Sequence, residues 1–296
     1  MSANADWDLF QSLHAVIKAG SLSRAAKLRG LTQPTLGRHI EALEGQLGGP
    51  LFLRSPRGLE PTDLATELAG HLEDMAAAAG AAVRDASGSA NAVRGAVRLT
   101  ASEIMGVEVL PPILTSFRES HPEVEIELVL SNRNEDLTRR DADIAVRMIR
   151  PTQNTLVARK VGVTALGFYA TPEYVAKHGA PADMGELARH PLVGFDKAWP
   201  NLRALADLDL PVSREAFSYR CDSDLAQLAA VRAGFGIGAC QHILAGRYGL
   251  VAILPDAFGF NLDIWVAMHE RLKANKRMRL MFDHMADGLA AFLKGG

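Results

Sequence analysis

The chain has 296 residues, 48% hydrophobic and 22% charged, an ordinary globular composition that excludes a disordered, collagen-like or disulfide-stapled protein. No apolar run approaches the ~18 residues of a membrane span, and Met1 to Asp8 offers neither the basic nor the apolar segment of a signal peptide. The two cysteines, Cys221 and Cys240, therefore read as reduced thiols of a cytoplasmic protein, and the net charge of −2 argues against a uniformly basic polyanion binder.

The charge is unevenly placed. Between Lys18 and Gly58 seven basic residues stand against Glu41 and Glu44, and from Glu60 to Asp85 six acids stand against Arg84 alone. Such an island is either a footprint for a polyanion or a solvated charged face.

Leu9, Phe10, Leu13, Val16 and Ile17 recur at helical spacing and predict a helix over Asp8 to Ala19, stopped by Gly20. Ser21 and Ser23 are both candidate N-caps of a short second helix that Gly30 ends. Thr32-Gln33-Pro34-Thr35 opens a third, with Thr32 as cap and Pro34 tolerated because an N–H in a first turn has no helical partner. Leu36, Ile40, Leu43 and Leu47 give this helix its buried stripe, and Gly48 and Gly49 end it. Pro50 to Pro61 then reads as a short β-ribbon turning at Ser55-Pro56-Arg57-Gly58. From Thr62, the positions Ala65, Leu68, Leu72, Met75, Ala79, Ala82 and Ala86 follow 3-4 spacing over three heptads. That pattern fits a dimerisation seam, or else a helix packed on its own domain. Ser87 to Asn91 is a linker.

Beyond the linker strands and helices alternate. Val97 to Thr100, Val124 to Val129, Ile144 to Val146, Leu156 to Val163 and Ala165 to Ala170 read as strands, with one helix running to about Ser120 through Pro111 and Pro112. The alternation predicts a largely parallel sheet flanked by helices, in two α/β lobes.

The first half carries the clearest motif. Two helices meet at the tight turn Arg29-Gly30-Leu31, and the second, capped, lies in the basic island. A generic three-helix cluster would share the spacing, but turn, cap, stripe and charge agree on a helix-turn-helix. Gln33, Thr35 and Arg38 lie off the stripe near the helix start, where side chains meet base edges. Ser21, Ser23, Arg54 and Arg57 are placed for phosphates, and Arg29, Thr32, Pro34 and Gly37 complete the DNA-contacting set.

Ala25-Ala26, Leu31-Thr32-Gln33-Pro34-Thr35-Leu36, Arg38, Ile40, Leu43-Glu44, Leu47-Gly48, Pro50-Leu51-Phe52, Arg54 and Pro61-Thr62 resemble the N-terminal domain of LysR-type transcriptional regulators. Phe117, His121-Pro122, Asp141-Ala142-Asp143-Ile144 and Ala233 to Gly238 are similar, more loosely, to that family's effector domain. The resemblance implies a winged helix-turn-helix over 1–62, a dimerising linker helix over 63–90, and an effector domain of periplasmic-binding-protein type over 91–296. Its lobes would be 92–163 with 269–296, and 164–268. The implied partners are a double-stranded operator, a small-molecule effector, further copies of the chain as homodimer or homotetramer, and, left open, RNA polymerase. Two residues depart from the family pattern. Arg29 stands where an apolar residue is usual, unless the register slips to Leu28, and Gly37 stands where serine is usual. A mid-helix glycine costs about 1 kcal/mol relative to alanine, so Gly37 either permits close approach to DNA or is drift.

A cleft between lobes is the default ligand site, and loops at the carboxyl ends of parallel strands point into it. Ser102, Ser131 and Arg147 are the candidates from one lobe, and Thr164, Phe195 and Ser223 from the other. Hydroxyls beside helix starts, with Arg147, favour an anionic effector, while Glu103, Asp141, Asp143 and Asp222 oppose that. No cofactor or metal is expected. An enzyme is disfavoured: Gly234-Phe235-Gly236-Ile237-Gly238 lacks G-x-G-x-x-G spacing, and neither H-E-x-x-H nor G-x-S-x-G occurs. The rival readings are a redox sensor using Cys221 and Cys240, and a solute-binding module that would leave the first 90 residues unexplained.

Overall fold

The computed structural model describes residues 6–55, 58–86, 93–132, 142–151, 153, 155–197 and 214–295, with the side chains of Arg54, Ser55 and residues 81 and 84–86 outside that description. The chain divides into two compact units, meeting in sequence at Val83 and Arg84.

In the first unit, helices α1 (Trp7–Ala19), α2 (Leu22–Arg29) and α3 (Gln33–Leu47) form in turn because each has its own start and stop signal. Asp6 caps α1, Ser21 caps α2 and Thr32 caps α3, each side-chain oxygen accepting from a backbone N–H of the first turn. Gly20, Gly30 and Gly48 close the three helices at φ values of 63°, 65° and 79°, the left-handed region that a side chain resists. Leu13, Val16, Ala25, Ala26, Leu36, Ile40 and Leu43 bury together with Leu51. Strands β1 (Phe52–Ser55) and β2 (Gly58–Pro61) pair antiparallel as the ribbon. Helix α4 (Asp63–Ala86) follows, and its first half contributes Ala65 and Leu72 to the same cluster.

The second unit is built on a nine-stranded sheet. In chain order its strands are β3 (Gly95–Ala101), β4 (Val124–Leu130), β5 (Ile144–Arg147), β6 (Leu156–Ala170), β7 (Leu192–Gly194), β8 (Phe217–Arg220), β9 (Ile237–Gln241), β10 (Val251–Ile253) and β11 (Phe260–His269). Across the sheet the order is β4-β3-β5-β11-β6-β9-β7-β8, with β10 paired to β6. The sheet is mixed rather than largely parallel. β3 pairs parallel with β4 and β5, and β7 with β8 and β9, but β6 and β11 run antiparallel to each other and to their other neighbours.

The two strands expected over 156–170 are one strand. β6 runs unbroken through Val163 and Thr164 because β11 pairs along its length, from Leu156↔His269 to Leu166↔Phe260. The ladder shifts register once, at Ile264/Trp265. The single helix expected up to Ser120 is two, α5 (Glu103–Glu108) and α6 (Leu110–Ser120), with Pro111 and Pro112 in the first turn of α6, where a ring without N–H is tolerated. Helices α7 (Pro172–His178), α8 (Met184–Leu187), α9 (Asp224–Arg232), α10 (His242–Arg247) and α11 (Lys276–Lys294) are the unit's other α-helices among the described residues.

Its main cluster joins Phe117, Met105, Leu110 and Ile144 to Met281 and Met285 of α11. A second holds Tyr174, Leu187, Leu192, Phe217, Ile237 and Ile253. The glycine-rich stretch before β9 is a packing device. A Cβ on Gly236 would lie 2.0 Å from the Pro191 carbonyl oxygen, and one on Gly238 would lie 2.5 Å from Val231. Among the described residues no helix is long and apolar enough to cross a membrane.

Candidate functional site

The first unit presents the start of α3 outward. Leu36, Ile40 and Leu43 are buried, which leaves Gln33 and Arg38 exposed on the opposite side and Thr35 half-buried beside them. Ser23 Oγ donates to Gln33 Oε1 at 2.8 Å, so α2 fixes the first side chain of α3. Thr32 Oγ1 accepts from the Thr35 backbone N–H at 3.3 Å and lies 2.8 Å from the Thr35 hydroxyl. Ser21 is occupied as a cap, accepting from the Arg24 N–H at 3.2 Å. The scaffold is tied by Ser12 Oγ to His39 Nδ1 at 2.8 Å and by Glu44 Oε1 to the Leu51 N–H at 2.7 Å. Pro34 is exposed, and a side chain added at Gly37 would meet open space. Arg57 and the Arg54 side chain lie outside the described residues.

Arg29 is a correction. Its guanidinium donates to Asp8 and Gln11, tying α2 to α1, so it is spent inside the unit rather than offered to DNA. Leu28 is 74% exposed, so Arg29 itself fills the inward slot and the register does not slip. Its aliphatic stem suits a half-buried position while the charge reaches Asp8.

The dimerisation positions divide. Ala65 and Leu72 are consumed by the cluster of their own unit, against the expectation of a seam running their length, and Leu68 packs against it. Met75 is 39% exposed and Val83 71%, with Ala79 half-buried and Ala82 exposed.

In the second unit a cavity of about 180 Å³ collects the carboxyl ends of six strands. Ser102 follows β3, Ser131 follows β4, Arg147 ends β5, Phe195 follows β7, Asp222 lies just past β8 and Gln241 ends β9, and all six line the cavity. Most of the remaining wall is apolar, including Ile104, Leu166, Phe260 and Leu262. Arg147 is buried, donating to Thr100 Oγ1 at 2.8 Å and to the Val146 carbonyl at 3.1 Å.

Two of the expected cleft residues are elsewhere. Thr164 is buried within β6, and Ser223 donates to Glu103 Oε2 at 2.7 Å; neither lines the cavity. That bond is half of a clasp, because Asn132 Nδ2 donates to Asp224 Oδ2 at 3.1 Å while Asn132 Oδ1 accepts from the Glu103 N–H at 3.0 Å. Burial, reinforced by the Glu103 charge, pushes the Asp224 carboxyl up to about 6. Cys240, also in the wall, is pushed up to about 12 by burial, which holds it as an unreactive thiol and counts against the redox reading. No cluster of three metal-ligating side chains occurs among the described residues.

Residues 7–66 match the family model described as bacterial regulatory helix-turn-helix protein, lysR family, and residues 90–290 match the LysR substrate binding domain. The chain belongs to the LysR family of transcriptional regulators. It is 31% identical over 287 residues to the HTH-type transcriptional regulator CrgA of Neisseria meningitidis, covering 95% of this chain and 96% of that protein. A regulator of Xanthomonas campestris is 29% identical over 182 residues, a match that spans about half of its own length, 53%, and 62% of this chain. The full-length Vibrio cholerae virulence activator AphB shares the fold at a TM-score of 0.64 and 21% identity, covering 95% of this chain and 99% of that one.

The protein is thus a DNA-binding regulator with an effector-binding domain, and not an enzyme. Sequence reading of this LysR-type regulator missed Asn132, Asp224 and Gln241. The first two adjoin Ser131 and Ser223, and Gln241 ends a strand, so the strand-end rule applied to every strand would have found Gln241.

Proposed function

We propose that this LysR-type regulator reads its operator through Gln33, Thr35 and Arg38. Thr32, Pro34 and Gly37 shape the approach, and Ser23, Arg54 and Arg57 face phosphates. The working parts are residues 1–62, 63–90 and 91–296, acting in the cytoplasm and passing the signal on through RNA polymerase. Copies associate as a homodimer or homotetramer through the second half of α4, where Met75 and Val83 leave apolar surface uncovered. Light scattering tests this: Met75→Glu halves the particle mass, since an unpaired carboxylate in an apolar seam is costly. The effector occupies the cavity bounded by Ser102, Ser131, Arg147 and Phe195.

The observation that carries the reading is the exposed Arg38 on a helix whose other face is buried. An arginine there can hold guanine with two hydrogen bonds. An operator selected from a random duplex library and a non-specific duplex are titrated at one salt concentration. Arg38→Ala weakens operator binding by about 1–3 kcal/mol and leaves the non-specific duplex nearly unaffected. Equal losses on both would assign Arg38 to phosphate.

A further inference from the structure

The case for an anion in the cleft rests on helix starts, which already carry the protein's own carboxylates, and on Arg147, which is partly committed. α5 is a single short helix with Glu103 in its first turn. α9 begins with Asp224, so the protein's own carboxylate already occupies the position that an anion would take. Arg147 has two of its N–H groups committed to Thr100 and Val146. One amide donor each of Asn132 and Gln227 goes to Asp224 Oδ2 and to the Cys221 carbonyl at 2.6 Å.

Two buried polar atoms of the wall have no partner among the described residues: the Ser102 hydroxyl, which can donate or accept, and the Gln241 amide oxygen, which can only accept. Gln241 is 3% exposed and lines the cavity, and its Oε1 has no partner among the described residues. Its Nε2 lies 3.4 Å from Met148 Sδ. A thioether accepts and cannot donate, so that contact fixes the amide with nitrogen toward sulfur and leaves the oxygen to receive a donor. A buried acceptor without a donor costs about 1–3 kcal/mol, which a ligand N–H would recover. Asp222, which accepts from the Asp196 and Lys197 N–H groups, and Asp224 add two carboxylates to a wall whose one guanidinium among the described residues is Arg147, and the Glu103 charge acts on Asp224. The size is also set: about 180 Å³ compares with the roughly 150 Å³ cavity that holds a benzene molecule.

We propose that the effector is a small organic cation, an amine or amidine on an apolar body of about one ring. Its charged head is held by Asp224 and the Gln241 amide oxygen, and its body lies against Leu166, Phe260 and Leu262. This rests on the cleft being the effector site. The high position of the Asp224 carboxyl fits, because a cation supplies the counter-charge that burial denies it.

The full-length protein is titrated at pH 7.5 with benzylamine, benzyl alcohol and benzoate, which share one ring and differ in charge. Benzylamine binds at least tenfold more tightly than benzyl alcohol, and benzoate binds most weakly. Asp224→Asn and Gln241→Met each reduce that benzylamine advantage, and a far-ultraviolet circular dichroism spectrum like that of the wild type certifies that both variants are folded. Benzoate binding most tightly overturns the cation while leaving the cleft as effector site if both variants alter its affinity. A benzylamine advantage that survives both substitutions, or no binding by any of the three, overturns the proposal. The operator titration is independent of these outcomes, so the regulator reading and this one fail separately.

Discussion

The DNA-reading unit and the effector-binding unit use polar groups in opposite ways. In the first, Asp6, Ser21, Thr32, Ser12 and Glu44 are each tied to a backbone N–H or a ring nitrogen within the same small cluster of helices. In the second, an acceptor on Gln241 and a carboxyl on Asp224 are held at the wall of a cavity without full compensation. A reader of a fixed duplex gains from groups settled before binding, because ordering costs are then met during folding. A sensor gains from groups that a ligand completes, because stabilisation on binding is then a signal. On the proposed reading the effector completes the cavity wall, whereas the start of the reading helix is set by its own cap and by Ser23.

The largest expected effect tests whether the units are separable. Phe117→Ala empties the main cluster of the second unit and costs about 3–5 kcal/mol, and Leu36→Ala does the same to the first at about 2–5 kcal/mol. Calorimetry of the full chain shows each substitution lowering a different transition. A single transition lowered by both would mean that the units unfold as one.

A smaller effect isolates the incomplete carboxyl. Because the folded state raises Asp224 to about 6 from an ordinary value near 4, its contribution is favourable at low pH and is lost as pH rises through 6. The melting temperature of Asp224→Asn therefore gains on the wild type between pH 4 and 6, and the gap stays constant above pH 7. A gap that does not vary with pH would show that the site is already compensated.

The smallest effect concerns the reading helix. Gly37→Ser meets open space and removes a mid-helix glycine, so it stabilises the first unit by up to about 0.5 kcal/mol. Operator affinity measured alongside decides the residue's role: a fall despite the added stability assigns close approach to DNA, and an unchanged value marks drift.

Legibility followed the range of the forces involved. The starts and stops of α1, α2 and α3 lie within four residues of the groups that cause them, so Ser21, Gly30, Thr32 and Gly48 could be read directly. The wing and the buried stripe of α3 were legible for the same reason. The continuity of β6 was not, because what carries it past Thr164 is a ladder to residues a hundred positions away. The cleft was half legible. Strand ends supplied Ser102, Ser131, Arg147 and Phe195, but Ser223 turned to Glu103, and the proximity of Asp224 to Glu103 was hidden because the two meet only in the folded chain. Arg29 was misassigned because its partners, Asp8 and Gln11, lie on another helix.

The unbroken β6–β11 ladder limits how the effector-binding unit can move. Ten paired positions link strands that pass from one half of the sheet to the other, so the halves share a backbone rather than a loop. Opening the cleft by a door-like swing would tear main-chain hydrogen bonds. The ladder is interrupted only where the register slips at Ile264/Trp265, a bulge that locally increases the twist. A twist of that ribbon would keep the ladder intact and carry a rotation from one half of the sheet to the other.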